Sequence, residues 1–272
     1  MKKQLILPSL LVVSLLVGIG ACAPSERTGT GIPRGGVGAA TEPPRVLIFT
    51  RDHTFDGEAE FWQMFEDLLG AENITRAVTP RDMDLLAPGL EERYDAVVFY
   101  DQNNAAVTQE QLDNFHALMY DVGMPAMVLH LALASYANWT PYRDMAGGRF
   151  IFGTVAHLYE DLHGRSWGPT RYAHEVNMNI RIEDRNHPIT RGLEDFVLFD
   201  EAYLDLYISP DVHVLLTTDF PEATREIAWI NRFGNSPIFS FTSGHDQNAF
   251  NNENFRKLIR QGIDWLISEG QR

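Results

Sequence analysis

Three short apolar runs constrain the fold of this chain more than any other feature of its sequence. They are Val46–Phe49, Ala96–Tyr100 and Ala126–Leu129. Their apolar residues follow one another without alternation, which is typical of strands buried on both faces of a parallel sheet. Residues 45–272 include all three runs and are enough for one α/β domain with a sizeable core and no internal repeat.

Apolar residues at helical spacing predict helices between and after these runs. The first pattern extends from Phe61 to Leu69, the second from Leu112 to Val122, and the third from Phe255 to Ile267. Thr108 and Gln111 have the spacing of a capping box at the start of the second helix. Helices that alternate with buried strands favour a parallel sheet covered on both faces.

Antiparallel strands are expected beside this sheet. From His174 to Ile182, apolar and polar residues alternate strictly, as in a half-exposed strand near a sheet edge. Ile227–Ile230 and Ile238–Phe241 predict two further strands. We therefore expect a three-layer αβα sandwich of flavodoxin-like type with a mostly parallel central sheet and added antiparallel strands. A long insertion of loops and strands should extend from Trp139 to about Val212.

The N-terminal segment has the layout of a bacterial lipoprotein signal. Lys2 and Lys3 precede an apolar stretch, Leu5–Ile19, that is shorter than the ~20 residues of a membrane-spanning helix. The stretch leads to Cys22, the single cysteine of the chain. We expect residues 1–21 to be a signal peptide, and lipid on Cys22 to hold the protein in the bacterial cell envelope, facing the periplasm or the outer membrane. An ordinary secretory signal with an incidental cysteine is the alternative.

Residues 22–44 predict a disordered tether, because glycine, proline and small residues dominate them and bury too little apolar surface to fold. The folded domain is therefore expected at 45–272. With a formal net charge of -15, the chain lacks the basic surface that nucleic acids need, and anionic lipids would repel it. We expect no nucleic-acid partner, and membrane contact through the lipid anchor alone.

Polar residues follow each predicted strand of the parallel sheet. They are Thr50–His53, Asp101–Asn104, His130 and Thr242–Asp246. In open α/β sheets, ligands bind beyond the carboxyl ends of the strands. Three of these four groups contain a histidine, so their convergence favours a functional site over packing residues.

Four ordered motifs resemble the ThuA-like trehalose-utilisation family. They are AMVLHLALASYANWTPYRDMAGGRF from Ala126, RIEDRNHPITRGLEDFVLFDEAY from Arg181, DVHVLLT from Asp211 and FTSGHDQNAF from Phe241. The resemblance covers essentially all of residues 45–267. Since the family belongs to the class I glutamine amidotransferase-like superfamily, it implies the same three-layer fold.

The resemblance also shows where this chain departs from the superfamily. Glutamine amidotransferases carry a nucleophilic cysteine after the strand that Ala126–Leu129 resembles, and a partner histidine after the one that Ile238–Phe241 resembles. Here His130 lies at or beside the nucleophile's position, and His245 occupies the partner's. Without a thiol after Cys22, the domain cannot form a thioester, so glutaminase and other thiol acyl-transfer activities are excluded. Because the sequence contains no Gly-x-Gly-x-x-Gly motif and no P-loop, no nucleotide cofactor is expected.

The chemistry that remains is that of histidine and carboxylate. Its candidate catalytic residues are His53, His130, Glu201, His245 and Asp246. Imidazole titrates near ~6.5 and can act as general acid or base, while Asp246 is placed to orient the imidazole of His245. Of the same set, His53, His130, Glu201 and His245 are candidate ligands for a divalent metal such as zinc. Their dispersed spacing leaves a metal as one option beside acid–base chemistry.

The resemblance implies a carbohydrate as the substrate, with a keto-sugar or an oxidised disaccharide as examples. Candidate substrate-binding residues are Tyr203, Trp139, Tyr142, Asp101 and Asn103. Tyr203 shares a strand face with Glu201, and the two aromatic residues Trp139 and Tyr142 offer a stacking surface for a sugar. The preferred prediction is an enzyme acting on sugars, as a hydrolase, lyase or isomerase. A non-catalytic carbohydrate-binding lipoprotein is the main alternative, and a structural partner in a surface complex is a third.

Overall fold

A computed structural model describes residues 43–51, 54–102 and 107–272 of the chain. The predictions for the signal peptide, Cys22, most of the tether, His53 and Asn103 concern residues outside these ranges. The strands are β1 Val46–Phe49, β2 Ile74–Ala77, β3 Ala96–Phe99, β4 Ala126–Leu129, β5 Gly148–Arg149, β6 Arg171–Ile182, β7 Phe196–Leu204, β8 Tyr207–Ile208, β9 His213–Thr218, β10 Glu226–Phe233 and β11 Ser236–Phe241. The α-helices are α1 Glu58–Leu69, α2 Gln109–Ala117, α3 Thr140–Ala146, α4 Gln247–Phe250 and α5 Glu253–Gly270. Within the described ranges, none of the helices has both the length and the apolar character of a membrane span.

The described residues form a central sheet of nine strands in the order β2-β1-β3-β4-β11-β10-β9-β6-β7. The first five strands in this order are parallel to one another. The remaining pairs, from β11–β10 to β6–β7, are antiparallel. The three apolar runs of the sequence are β1, β3 and β4, and every residue of these strands is buried. This confirms the parallel sheet with added antiparallel strands.

Helices cover both faces of the sheet, so the architecture has the three layers expected. On one face, α1, α4 and α5 bury residues such as Phe61, Phe250 and Leu258 against the sheet. On the other face, α2 and α3 bury Phe115 and Met145. Each face thus has its own apolar core, with the strands between them.

The capping box at the start of α2 forms as predicted. The Thr108 hydroxyl accepts from the Gln111 backbone N–H at 3.2 Å, and the Gln111 side chain accepts from the Thr108 N–H at 2.9 Å. The prediction that Val122 lies on the apolar face of this helix was wrong. The chain continues after α2 as a π-helical turn over Leu118–Val122. The wider turn changes the helical register, and Val122 is left 37% exposed.

The hairpin of β6 and β7 extends beyond its neighbour in the sheet. β6 pairs with β9 only over Ile180–Ile182, but it pairs with β7 from Arg171 onward. A β-bulge between Ala173 and Val176 interrupts this pairing, and Glu175 within it has φ 55°. From Val176 to Ile182 the strand has the predicted alternation of inward apolar and outward polar residues. The bulged half of the hairpin lies at the edge of the sheet where β4 and β11 end.

Candidate functional site

His130 is held in a strained turn at the end of β4. Its backbone has φ 49°, a left-handed conformation that few residues other than glycine adopt, and its side chain is 1% exposed. The imidazole Nδ1 lies 2.9 Å from the carbonyl oxygen of Thr242, which follows β11. A carbonyl can only accept, so the contact assigns the hydrogen to Nδ1 and the lone pair to Nε2.

A nitrogen of His245 and an oxygen of Glu201 lie close to this Nε2. Nε2 of His130 lies 3.2 Å from Nδ1 of His245 and 3.3 Å from Oε2 of Glu201. The same carboxylate oxygen is 3.6 Å from Nδ1 of His245. A third imidazole approaches the other oxygen of Glu201, with His174 Nδ1 at 3.2 Å. One carboxylate therefore contacts three histidines from three different strands or loops.

The surroundings of this cluster shift the pKa values of Glu201 and His245 in opposite directions. Burial raises the pKa of Glu201 to about 7, and a hydrogen bond from Tyr203 acts in the opposite direction. Burial also lowers the pKa of His245, and the nearby His174 lowers it further. At neutral pH, Glu201 is therefore able to give or take a proton, and a neutral His245 is available as a base.

Asp200 ties the hairpin to the loop that carries His245. Its buried carboxylate accepts hydrogen bonds from the backbone N–H groups of Gly244 at 2.6 Å, His245 at 2.9 Å and Glu201 at 2.8 Å. Tyr100 fixes the same loop by donating its hydroxyl hydrogen to the Gly244 carbonyl at 2.6 Å. These bonds hold Glu201 and His245 at a fixed distance from each other.

A cavity of about 340 Å³ opens in front of the cluster. His130, Glu201, His245 and Tyr203 face it, and Thr54, Asp56 and Gln102 supply further polar groups. Its apolar lining comes from Phe55, Leu131, Phe150 and Tyr172. Tyr172 is 60% exposed, so its ring remains accessible to a ligand. A larger groove of about 450 Å³, which includes Trp167 and Arg225, shares no lining residue with this cavity.

The structure brings together four of the residues singled out from the sequence: His130, Glu201, His245 and Tyr203. Tyr203 stacks on His130 with 5.2 Å between ring centroids, and its hydroxyl lies 3.1 Å from Nδ1 and 3.2 Å from Nε2. His53 and Asn103 lie outside the described residues.

Two predicted polar roles were wrong. The carboxylate of Asp246 does not orient the His245 imidazole but caps α4, accepting from the Asn248 N–H at 2.8 Å and from its side chain at 3.0 Å. Asp101 was expected to meet the substrate, yet it is fully buried in an ion pair with Arg51, whose Nε lies 2.8 Å away. Its neighbour Gln102 lines the cavity instead.

The predicted sugar-stacking surface of Trp139 and Tyr142 was also wrong. Tyr142 is fully buried and packs against Tyr136 with ring centroids 4.8 Å apart. Trp139 is partly buried and packs against the same apolar core, with its ring centroid 5.3 Å from that of Phe115. The aromatic side chains that line the cavity are instead Phe55, Phe150, Tyr172 and Tyr203.

Sequence reasoning missed His174 and Tyr172. Strict alternation places His174 on the same side as Val176, in the core, whereas the bulge re-aims it at Glu201. No bulge is visible in the hydrophobic period, so no sequence pattern identified either residue. Their position opposite the Glu201–Tyr203 motif became apparent only from the β6–β7 register, in which Tyr172 pairs with Tyr203.

The chain resembles known proteins in both sequence and fold. The family model described as ThuA, trehalose utilisation, matches residues 45–266. A ThuA-like protein from Parabacteroides merdae is 16% identical, with 84% of this chain and 91% of that chain covered and a TM-score of 0.69. A ThuA-like protein from Bacteroides uniformis is 18% identical, with 85% and 95% covered and a TM-score of 0.60. A cytoplasmic protein from Salmonella typhimurium is 12% identical, with 82% and 98% covered and a TM-score of 0.54. At these identities the structural likeness concerns the fold alone, and no curated protein matched.

Proposed function

Since this chain belongs to the ThuA, or trehalose utilisation, family, we propose that it binds and chemically transforms a carbohydrate. A keto-sugar or an oxidised disaccharide is the preferred substrate class. The main support is the convergence of His130, Glu201 and His245 at the floor of one cavity. A concave site with few polar groups, aromatic walls and shifted pKa values is typical of small-molecule enzymes.

Histidine and carboxylate groups carry the proposed chemistry. Glu201, with its pKa raised by burial to about 7, is suited to deliver a proton to a leaving or carbonyl oxygen. His245, with its pKa lowered by burial, is suited to remove one from a sugar hydroxyl or an acidic C–H. No step uses a thiol, because Cys22 is the single cysteine of the chain and precedes the domain. Metal-assisted chemistry by the same residues is compatible with this scheme.

The aromatic lining supports a sugar as the ligand. Tyr172 and Phe150 offer ring faces and edges to the apolar C–H surface of a pyranose, while Gln102 and Asp56 can bind its hydroxyl groups. The volume of about 340 Å³ lies within the ~300–1,000 Å³ usual for small-molecule pockets. These wall residues also favour the second candidate function, a carbohydrate-binding lipoprotein without catalysis.

We propose the bacterial cell envelope as the location, with lipid on Cys22 as the attachment to the membrane. The sequence layout of residues 1–22 supports this, and the acidic charge of the chain disfavours direct contact with anionic lipid. The expected partners are a small carbohydrate and the membrane through the anchor.

The decisive experiment measures both binding and turnover for a panel of native and oxidised disaccharides. Wild-type protein should convert at least one of them, and His130→Ala should lose ~10²-fold to 10⁴-fold in rate while remaining folded. His157→Ala is the matched control, because His157 is exposed and does not line the cavity, and its rate should equal that of the wild type. Sugar binding without product formation would favour the second candidate function, a carbohydrate-binding protein without catalysis. Absence of both binding and turnover would contradict both candidate functions.

A further inference from the structure

We propose that His130, Glu201 and His245 bind one divalent metal ion of the zinc type. This inference deepens the proposed function and rests on it for the identity of the substrate, a carbohydrate, that would contact the metal. Two imidazoles and one carboxylate are a ligand set used by catalytic zinc sites, which keep a further position open for water or substrate. In this chain the candidate open position faces the cavity of about 340 Å³.

The distances between the three ligand atoms agree with four-coordinate zinc. They are 3.2 Å between the two imidazole nitrogens, and 3.3 Å and 3.6 Å from those nitrogens to Oε2 of Glu201. Zinc binds nitrogen and oxygen ligands at about 2.0–2.1 Å, so neighbouring ligands of a tetrahedral ion lie about 3.3–3.4 Å apart. An octahedral ion with the same bond lengths would bring them to about 2.8–3.0 Å. The triangle is therefore already of tetrahedral size, and its ligands need only small movements.

The tautomer of His130 is the one that metal binding requires. Because Nδ1 donates its hydrogen to the Thr242 carbonyl at 2.9 Å, the lone pair of Nε2 points towards the other two ligand atoms. Histidine ligands commonly donate their second ring N–H to a backbone carbonyl, which fixes the ring and its tautomer. A hydrogen bond can link only two of the three ligand atoms at a time, whereas a metal ion can coordinate all three.

A second group of residues orients the carboxylate ligand. Nδ1 of His174 lies 3.2 Å from Oε1 of Glu201, so this imidazole supports the oxygen that is turned away from the proposed ion. Asp200 fixes the backbone of both Glu201 and His245. The side chain of His245 is 33% exposed, which leaves a path for an ion to enter from the cavity.

The bound ion would act on the carbohydrate as a Lewis acid. A sugar carbonyl or hydroxyl oxygen in the cavity can take the open position, where the ion polarises it and lowers the pKa of a bound hydroxyl or water. A keto-sugar, the preferred substrate class, presents such a carbonyl oxygen.

The test is metal binding by the full chain, independent of any substrate. Chelator-treated protein is titrated with zinc, followed by calorimetry and by elemental analysis after gel filtration. Wild type should bind one zinc per chain, and His130→Ala, His245→Ala and Glu201→Gln should each weaken binding at least 100-fold. His174→Ala should weaken it about 10-fold to 100-fold. His157→Ala should match the wild type.

Two further measurements guard against misfolded variants and fix the geometry. Zinc should raise the unfolding temperature of the wild type but not of Glu201→Gln, a nearly isosteric variant whose metal-free unfolding temperature is compared first. Cobalt(II) in place of zinc should give the intense visible absorption of a four-coordinate ion. A wild-type chain that binds no zinc, a Glu201→Gln variant that binds it normally, or the weak spectrum of six-coordinate cobalt would each overturn the assignment. Zinc binding without sugar binding or turnover would instead refute the proposed function and leave the metal site standing.

Discussion

Gly244 shows how a single residue sets the position of His245. Its φ of 114° is accessible mainly to glycine, and a Cβ there would lie 3.0 Å from the Phe255 ring. Gly244 also donates its N–H to Asp200 and accepts at its carbonyl from the Tyr100 hydroxyl, so a shift of this residue moves the whole loop.

We expect Gly244→Ala to lower the free energy of unfolding by about 1–3 kcal/mol from backbone strain, with a further loss from the ring contact. Chemical denaturation measures it. Gly89→Ala is the control, since Gly89 has φ 102° but open space around its added Cβ. Equal losses in the two variants would show that the Phe255 contact is unimportant.

His187, which does not line the cavity, should make the stability of the protein depend on pH. Burial lowers its pKa below the usual 6.5, with Asp184 opposing and His213 adding to the shift. A histidine with a lowered folded pKa stabilises the fold above pH 6.5, and that contribution is lost as the pH falls through the folded value. The neutral ring also accepts a hydrogen bond from the Ile189 N–H at 3.3 Å.

Unfolding temperatures at pH 7.5 and pH 5.5 should therefore differ less for His187→Gln than for the wild type. His157→Gln provides the comparison, because it removes an exposed histidine of the same size. A His187→Gln variant with an unchanged pH response would contradict this assignment.

The sequence was sufficient to identify those site residues whose position is determined by the order of strands in the sheet. His130 directly follows β4 and His245 lies in the loop after β11. The carboxyl ends of these strands share one edge, so the convergence of the two histidines could be predicted from the order of elements. Asp101 also follows a strand of this sheet and Tyr142 lies in α3, but both are fully buried. The direction of a side chain in a loop depends on ion pairs and packing that a linear pattern does not contain.

Among the elements, the bulge in β6 matters most for the site. It adds one residue to β6 opposite β7, and the left-handed φ of Glu175 accommodates the extra residue. Glu175→Val should lower the free energy of unfolding by about 1–2 kcal/mol, because a β-branched residue is poorly suited to this conformation. Glu175→Gly should be neutral or stabilising.

Denaturation curves for both variants are compared with the curve for Asn177→Val. The comparison distinguishes backbone strain at Glu175 from the general preference of valine for β-strands. Asn177 is exposed on the regular part of the same strand, where valine should be tolerated. If Glu175→Val were as stable as Asn177→Val, the bulge would not be under strain.

The elements that sequence periodicity predicted well are those with uniform burial. β1, β3 and β4 are apolar throughout, and α5 buries one continuous stripe from Phe255 to Leu266. Periodicity failed where the backbone departs from a regular repeat, as in the π-helical turn after α2 and the bulge in β6. Each irregularity shifts the side chains that follow it by less than one helical turn or one pleat. The composition of the segment is not altered by such a shift, so composition does not indicate it.

At the level of the whole molecule, attachment to the membrane is predicted to depend on one atom, the sulfur of Cys22. Cys22→Ala should leave an unprocessed precursor, because the lipid-modified cysteine is the cleavage position of this signal type. Fractionation and N-terminal sequencing check this, with Ser25→Ala in the same segment as the control. A mature N-terminus at any residue other than Cys22 would contradict the prediction.

The β6–β7 hairpin makes the site a composite of two parts of the sheet. The parallel strands contribute His130 and His245, whereas the hairpin contributes Glu201, Tyr203 and Tyr172. Asp200 ties the two parts together, whereas Tyr172, at the end of β6 that is not paired with β9, is 60% exposed and can be replaced without disturbing the core strands. Substitutions at exposed hairpin positions can therefore change the groups that line the cavity while the two imidazoles stay in place, so proteins with nearly identical cores can differ in what they recognise.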